Sequence, residues 1–216
     1  MIIAKYRRRG SYAYVPHVDI LRAFCMAIRR SRVDIAFSEG FNPHMQLKLS
    51  SPAPIGVESD CEYLAAASGE SPENFEAKLN ATLPEELRIL RSAFAERPNP
   101  AAQITAAGYE IYLPGFDCRK LAARVAVGGK FAIEYTDKGE KFVKEVGDRI
   151  YSVAGDGEKL LTVLGYGANN LRADRLAAFL CGGNLPCEAE ILKKKMYTIE
   201  SGKLIDADKV YFDGTI

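Results

Sequence analysis

The chain has 216 residues, of which 48% are hydrophobic and 26% are charged, and its formal net charge is +1. This length allows one large domain or two domains of roughly a hundred residues each. No stretch reaches the roughly 20 apolar residues of a membrane helix, and the start does not have the residue order of a secretion signal. We therefore expect a globular cytoplasmic protein with no membrane partner.

The positive charge is concentrated in the first quarter of the chain. Residues 1–50 contain nine lysine or arginine residues against three acidic ones. A basic segment on a nearly neutral protein predicts a local anionic partner, such as RNA or a phosphorylated small molecule. A solvated basic face explains the same pattern equally well, so charge alone leaves both interpretations open.

The first half of the chain predicts a strand, a helix, two strands, a helix and a strand. Ile2–Arg8 is a strand, and Pro16 opens a helix that runs to about Arg32. Its apolar stripe, which should face the core, consists of Leu21, Phe24, Cys25 and Ile28. Residues 33–37 and 45–50 are predicted strands, and pairing continues in 62–67. Ser71 caps a second helix, and residues 87–95 return as a strand.

The two prolines in residues 96–104 predict a linker. Beyond it, the order of elements repeats: a strand at 108–114, a helix at 117–125, strands at 130–139 and 160–167, a helix at 170–180 and a closing hairpin at 193–206. Strand–helix–strand–strand–helix–strand written twice predicts an α+β fold of two tandem ferredoxin-like βαββαβ sandwiches. The expected domains are residues 1–97 and 104–216.

The two histidines of the chain stand in similar settings. His44 follows the turn Gly40-Phe41-Asn42-Pro43 at the start of a strand, and His17 lies with Asp19 in the first turn of the basic helix. Asparagine and histidine can bind base edges, and phenylalanine can stack on an unpaired base. A helix start also attracts anions. The two histidines could instead form a general acid–base pair, or be ordinary surface residues.

A third candidate site lies in the second half, where a strand leads through Gly-Tyr-Gly into a helix. Asn169, Asn170 and Arg172 could accept a phosphate at this helix start. The segment lacks the spacing of dinucleotide-binding and P-loop motifs, so a plain turn with asparagine as helix cap is the favoured interpretation. The scattered cysteines form no metal-binding pattern, and we expect no metal and no cofactor.

Residues 4–59 resemble the radical-SAM-linked protein family, a domain of unknown function. The resemblance lies in a histidine–aspartate helix start, a double arginine at the helix end, a Ser-x-Gly-Phe-Asn-Pro-His segment and a proline-rich turn. The matching residues are His17, Asp19, Arg29, Arg30, Ser38, Gly40, Phe41, Asn42, Pro43, His44, Pro54, Gly56 and Glu58. Two residues depart from the family pattern: Pro16 replaces a serine and Met45 a second proline.

The resemblance implies an accessory protein that recognises a substrate for a separate radical SAM enzyme. The chain lacks the CxxxCxxC motif, so it does not itself hold that cluster. We expect a non-catalytic module that binds an anionic substrate, RNA above all. The expected substrate-binding residues are Arg8, Arg9, His17, Asp19, Arg22, Arg29, Arg30, Ser38, Gly40, Phe41, Asn42, His44, Asn169, Asn170 and Arg172.

Two alternatives remain at this stage. Tandem ferredoxin-like domains are also the architecture of metal-independent RNA endonucleases, in which His17 and His44 would act as the catalytic pair. The chain could also be a protein–protein adaptor that docks on a radical SAM partner and touches no substrate.

Overall fold

The structure, a computed structural model, describes residues 1–96 and 98–213, and it divides into two compact units. Unit 1 comprises Met1–Ile104 together with the C-terminal segment that begins at Thr198, and unit 2 comprises Thr105–Tyr197. Within the described ranges, no helix has both the length and the apolar character that crossing a membrane requires.

Unit 1 alternates strands and helices in the predicted order. Its elements are β1 (Ile2–Arg8), α1 (His17–Ser31), β2 (Leu47–Leu49), β3 (Glu58–Ala66), α2 (Pro72–Asn80), β4 (Ile89–Phe94) and the short α3 (Pro100–Gln103). The strands form an antiparallel sheet in the order β4-β1-β3-β2. The predicted α+β class is confirmed at this level.

The core of unit 1 lies between one face of this sheet and the two longer helices. Alternate residues of β1 point to opposite faces, and Ile2, Ala4 and Tyr6 belong to the buried cluster. Tyr6 meets Phe24 of α1 edge-on, with 4.8 Å between the ring centroids. Phe75 of α2 is buried in the same cluster. The buried side chains of β1 therefore form part of the core surface against which α1 packs.

Helix α1 begins and ends as predicted, but its buried stripe is rotated from the expected one. Ile20, Phe24, Ala27 and Ile28 are buried, whereas the predicted Leu21 and Cys25 are only half-buried at the edge of the stripe. Pro16 precedes the helix without a side-chain cap. The prediction was off by about one position: Ile20, Phe24, Ala27 and Ile28 repeat at helical spacing toward the core, and Leu21 packs at its margin.

Residues 33–37, predicted as a strand, form only two isolated bridges, Ile35 with Ser68 and Phe37 with Met45. The segment divides its partners between residues 67–68 and 44–46, so no continuous ladder forms. The prediction of a regular strand here was wrong. The segment instead runs along the edge of the sheet and leads into the loop that follows.

Unit 2 has eight elements, and a hairpin interrupts its main sheet. They are β5 (Ala106–Tyr112), α4 (Cys118–Ala123), β6 (Ala132–Asp137), β7 (Glu140–Glu145), β8 (Ile150–Asp156), β9 (Lys159–Gly165), α5 (Ala173–Leu180) and β10 (Glu190–Glu200), which ends beyond the unit. β10, β5, β9 and β8 are antiparallel neighbours in that order, while β6 pairs only with β7 in a separate two-stranded sheet. The sequence missed both β7 and β8. Every residue of β7 is exposed, which removes the alternating pattern. β8 buries only the first of its residues and half-buries every second one after it, so its segment was not predicted as a strand, and residues 130–139 were predicted to take the place in the main sheet that β8 holds.

The C-terminal segment forms β11 (Lys203–Asp206), which pairs with β10, and α6 (Ala207–Phe212). Asp208 of α6 accepts hydrogen bonds from the Lys5 ammonium and the Tyr63 hydroxyl, both at 2.5 Å. Burial and this carboxylate raise the pKa of Tyr63. The sequence assigned the segment to the second domain, whereas the contacts group it with unit 1, since Lys5 and Tyr63 bind it there.

Candidate functional site

The Gly-Phe-Asn-Pro-His motif forms a loop that is closed at its base, which we call the 38–44 loop. The Ser38 amide donates to the His44 carbonyl at 2.8 Å, and the His44 amide donates to the Ser38 hydroxyl at 3.0 Å. Gly40 has a φ of 114°, a backbone conformation that side chains with a Cβ rarely adopt. The side chain of Gln46 also holds the carbonyl of Phe37. These bonds fix the two ends of the loop and leave its tip projecting.

The tip of the 38–44 loop lies entirely in solvent. Gly40, Phe41, Asn42, Pro43 and His44 are all exposed, and the Phe41 ring is fully so. Leaving a phenylalanine in water forgoes about 1.5–3 kcal/mol relative to burying it. A ring presented in this way, beside one amide and one imidazole, is suited to contact with a partner.

The outward face of α1 carries basic and apolar side chains together. Val18, Arg22, Met26 and Arg29 follow one another at helical spacing on this face, and all four are exposed. Arg22 donates to the carboxylate of Asp19 at 2.7 Å. Arg29 has no acidic side chain within ion-pair distance in residues 1–96 and 98–213. Its charge is therefore available to an anion.

The neighbouring Arg30 is also exposed. One of its guanidinium nitrogens donates to the Thr82 carbonyl at 3.3 Å, and no carboxylate within the described ranges compensates its charge. Together with Arg22 and Arg29, it makes the outer surface of α1 positively charged. We call Val18, Arg22, Met26, Arg29 and Arg30 the α1 face.

Arg8, predicted to bind substrate, is buried and holds the chain in place. It is only 4% exposed, and its guanidinium donates to the carbonyls of Tyr12 (2.9 Å), Ala13 (2.7 Å), Val15 (3.1 Å) and Pro54 (3.4 Å). It therefore ties the turn before α1 to the proline-rich segment. With its donors used in this way, Arg8 has a structural role, and the geometry does not favour contact with a phosphate.

Arg9 points to the other side of the strand, where two carboxylates hold it. It donates to Asp60 at 2.7 and 2.5 Å and to Glu58 at 2.7 Å. The bonds to Asp60 are the main reason that the pKa of Arg9 is raised. Because the two acidic side chains compensate its charge, Arg9 adds little to the positive potential predicted from the sequence.

His17 lies at a different place from His44. Half-buried, it lines a small cavity of about 10 Å³ together with Arg8 and Glu62, and the Ser50 hydroxyl donates to Glu62 at 3.0 Å. A space of this size holds about one water molecule, which is too little for a substrate. His44 does not line this cavity. The acid–base pairing of the two histidines thus stays a prediction without a shared site.

The third predicted site, in unit 2, is arranged differently from the sequence interpretation. Asn169 and Asn170 are exposed, but neither caps α5, since Arg172 occupies the position before the helix. Arg172 forms a two-pronged ion pair with Asp174, at 3.0 and 2.5 Å. The favoured prediction of an asparagine cap was wrong, because α5 begins at Ala173 and Asn170 lies two residues before the cap position.

The structure therefore groups the predicted residues into three sets. Ser38, Gly40, Phe41, Asn42 and His44 form the 38–44 loop, while Arg22, Arg29 and Arg30 lie on the α1 face beside Asp19. The remaining residues form separate structural contacts or turns: Arg8, Arg9, His17, Asn169, Asn170 and Arg172. Across the described residues, no group of three or more histidine, cysteine or acidic side chains has a metal-binding arrangement.

Sequence reasoning missed the apolar part of the α1 face, Val18 and Met26. Both residues are typical core residues, and only their exposure in the fold separates them from Ile20 and Phe24. The available signal was their helical spacing relative to Arg22, which places them outside the buried stripe.

These features describe an α+β protein that presents a closed, exposed loop and a basic helix face in its first unit. Residues 2–173 match the model of a family described as an uncharacterized protein conserved in bacteria (DUF2344), so the chain belongs to that family. The predicted membership in a domain family of unknown function is thereby confirmed. A search of the curated proteins found no match.

Proposed function

We propose that this chain is a non-catalytic recognition module that binds single-stranded RNA and presents it to a separate radical SAM enzyme. The observation that carries the proposal is the fully exposed Phe41 ring at the tip of a loop whose base is hydrogen-bonded shut. A rigid base reduces the entropy lost when the loop engages a partner. The loop is therefore built to present a ring rather than to bury it.

The chemistry of the tip suits an unpaired nucleotide. Stacking of a base on an aromatic side chain contributes about 1–3 kcal/mol and tolerates any sequence. Asn42 and His44, exposed on either side of Pro43, carry hydrogen-bonding groups for base edges. Unpaired bases offer both a face and an edge, whereas those in a duplex are stacked.

The α1 face supplies the matching charge for phosphates. Arg29 and Arg30 have no carboxylate partner among the described residues, so they can bind phosphate without first breaking an ion pair. Each phosphate contact releases counterions from the nucleic acid, and RNA binding should therefore weaken as salt rises.

The radical SAM partner rests on the resemblance of the first sixty residues. Most of the residues that carry this resemblance are those of the 38–44 loop and the α1 face. In addition, four strands of each unit are neighbours in the orders β4-β1-β3-β2 and β10-β5-β9-β8. These orders support two tandem ferredoxin-like sandwiches as part of the proposal.

The alternative endonuclease has less support, because His17 lines a pocket with room for about one water molecule and His44, on the exposed loop, does not line it. A protein–protein adaptor would also use an exposed Phe41. The unpaired arginines of the α1 face favour RNA over an uncharged protein surface.

The test is binding of a fluorescently labelled, mixed-sequence single-stranded RNA to the full chain at low and moderate salt. We expect Phe41→Ala to weaken binding by roughly tenfold, the loss of one stacked base. The matched control is Phe94→Ala, which removes another exposed phenylalanine of unit 1. We also expect Arg29→Ala/Arg30→Ala to weaken binding and to flatten its salt dependence.

The control for charge is Lys144→Ala/Lys159→Ala, which removes two exposed cations of unit 2. The proposal requires that this pair bind RNA within about twofold of the parent chain at matched salt, allowing for the change in net charge. Absence of RNA binding at low salt, or equal losses in Phe41→Ala and Phe94→Ala, would overturn the proposal. Capture of a radical SAM partner that depends on Phe41 without any RNA affinity would favour the adaptor instead.

A further inference from the structure

A cleft in unit 2 lies between the β6–β7 hairpin and the C-terminal end of α5. Its volume is about 440 Å³, within the range of about 300–1,000 Å³ in which proteins bind small molecules. Its walls come from the hairpin (Glu134, Tyr135, Thr136 and Lys141), from Phe179 of α5, from Arg124 after α4 and from the loop of residues 182–184, and the one carboxylate among them, that of Glu134, pairs with Lys141. None of these residues belongs to the 38–44 loop or to the α1 face.

Aromatic contacts hold the two walls of the cleft. Phe131, just before β6, meets Phe179 edge-on at 5.9 Å between centroids, and Tyr135 stacks on Phe142 across the hairpin at 5.7 Å. The Arg175 guanidinium lies 4.2 Å from the centroid of the Tyr135 ring. The hairpin makes no ladder with the main sheet of unit 2, so these ring contacts help to fix its position. The cleft is thus bordered by rings that are already in place.

One cation at the cleft remains uncompensated. The Arg124 guanidinium donates to the Leu180 carbonyl at 3.0 Å, and no carboxylate within the described residues pairs with it. By contrast, Lys141 lies 3.2 Å from Glu134, and Arg172 holds Asp174. Arg124 therefore has donors left for an anion, anchored by one bond to the end of α5. A guanidinium of this kind suits the oxygens of a phosphate.

Two polar groups that border the cleft can form hydrogen bonds with the edge of a planar ligand. The Tyr135 hydroxyl and the Asn184 amide have no hydrogen-bond partner in the described part of the chain, and both border the cleft. Gly182 and Gly183 adopt φ values of 94° and 117°, and a Cβ built on either would meet nothing within 4 Å. The loop therefore leaves open space beside Asn184.

We propose that this cleft binds a phosphorylated nucleoside, with the phosphate on Arg124 and the base against the Phe179 ring and the hydroxyl edge of Tyr135, whose ring faces already contact Phe142 and Arg175. The size of the cleft, the aromatic border and the single uncompensated guanidinium all fit this ligand. It is a site separate from the RNA surface proposed above, and it does not depend on that proposal. The nucleotide could be free or part of an RNA chain.

The test is calorimetric titration of the full chain with AMP, GMP, CMP and UMP, with the corresponding nucleosides and with inorganic phosphate alone. We expect at least one mononucleotide to bind about tenfold or more tightly than its nucleoside, because the bonds to Arg124 are charge-assisted. Arg124→Gln should remove this advantage. The matched control is Arg119→Gln, an exposed arginine on α4 outside the cleft, which should change affinity by less than about twofold.

A second variant tests the cleft with a change that should not disturb folding. Tyr135→Phe retains the ring contacts with Phe142 and Arg175 and removes only the hydroxyl, so it should weaken binding modestly, by about three- to tenfold. Equal binding of nucleotide and nucleoside, or equal effects of Arg124→Gln and Arg119→Gln, would overturn the proposal. The proposal would also be overturned if Arg124→Gln changed neither the affinity for mononucleotides nor the affinity for RNA.

A short RNA distinguishes the two sources of the nucleotide. If RNA binding weakens in Arg124→Gln while mononucleotides show no binding at millimolar concentration, the site takes a nucleotide of RNA. If mononucleotides bind and do not compete with RNA, the site takes a free nucleotide. If Phe41→Ala abolishes RNA binding but leaves the affinity for mononucleotides unchanged, the cleft and the 38–44 loop are two independent binding sites.

Discussion

Arg8 is the last residue of β1 and Arg9 follows it in extended conformation, but the fold uses the two side chains in different ways. A strand directs consecutive side chains to opposite faces, so one guanidinium enters the interior and the other reaches two surface carboxylates. Arg8 donates to the carbonyls of Tyr12, Ala13 and Val15, the first two of which also accept a backbone amide, so its guanidinium adds bonds that hold the turn before α1. The structural role of Arg8 follows from this position. Its charge alone, as seen in the sequence, favoured a role in substrate binding.

Replacement of Arg8 by lysine tests the structural role. A lysine ammonium cannot reach all of the carbonyls to which the three nitrogens of the planar Arg8 guanidinium donate. We therefore expect Arg8→Lys to lower the free energy of unfolding, measured in urea, by about 2–4 kcal/mol. The control, Arg88→Ala, breaks an exposed ion pair with Glu85 and should cost less than about 1 kcal/mol. Equal urea midpoints for the two variants would contradict a structural role for Arg8.

Helix α6 shows how an element far along the chain completes a surface formed at its start. Lys5 and Tyr63 stand opposite each other on β1 and β3, and both bind Asp208. Tyr63 also stacks on Phe212, 6.3 Å between centroids, and Arg91 lies over the same ring. Without Asp208, the half-buried Lys5 and the buried Tyr63 would lose this acceptor. The carboxylate therefore acts together with the buried Ala207 and Tyr211 to hold α6, which is only six residues long.

Substitution of that carboxylate should release α6. Asp208→Asn removes the charge that pairs with Lys5 and weakens the bond to Tyr63, at a cost of about 2–4 kcal/mol. Amide hydrogen exchange in residues 207–212 should become faster, while that of β8 and β9 in unit 2 should change little. Asp213→Asn, which breaks only the exposed pair with Arg91, is the control and should leave exchange in α6 nearly unchanged. Slow exchange in both variants would show that apolar packing alone holds the helix.

At the scale of the whole molecule, unit 1 is formed from two distant parts of the chain. Residues 1–104 supply the sheet and its helices, and the segment from Thr198 supplies α6. A fragment that ends at residue 104 therefore lacks the partner of Lys5 and Tyr63. Unit 2, by contrast, is continuous in sequence.

The fragment 1–104 should accordingly be less stable than the same fragment joined to residues 198–213 by a flexible glycine–serine linker. The joined protein restores Asp208 and the ring contacts of Phe212, and we expect its thermal midpoint to be higher by about 5–15 °C. Circular dichroism melting of the two proteins, prepared in parallel, measures the difference. Equal midpoints would mean that the C-terminal segment contributes nothing to the stability of unit 1.

The amino-acid sequence by itself determined most of the elements. Apolar periodicity placed α1 and α5 close to their observed bounds, because each buries one face, which repeats at 3.6 residues. The cap Ser71 placed the start of α2, and the apolar residues at the start of the chain placed β1. Glycine and proline located the 38–44 loop, since its turn requires a backbone that few other residues adopt. Where no face is buried, as in β7, the sequence carried no signal.

Only the tertiary structure decided how the charged and polar residues are used. Arg8, Arg9 and Arg29 look alike in the sequence, yet the first is buried on carbonyls, the second is paired and the third is exposed without a carboxylate. Their partners, such as Pro54 and Asp60, are distant along the chain. The range and direction of a charge depend on which groups folding brings within a few ångströms, and no local pattern records those distances.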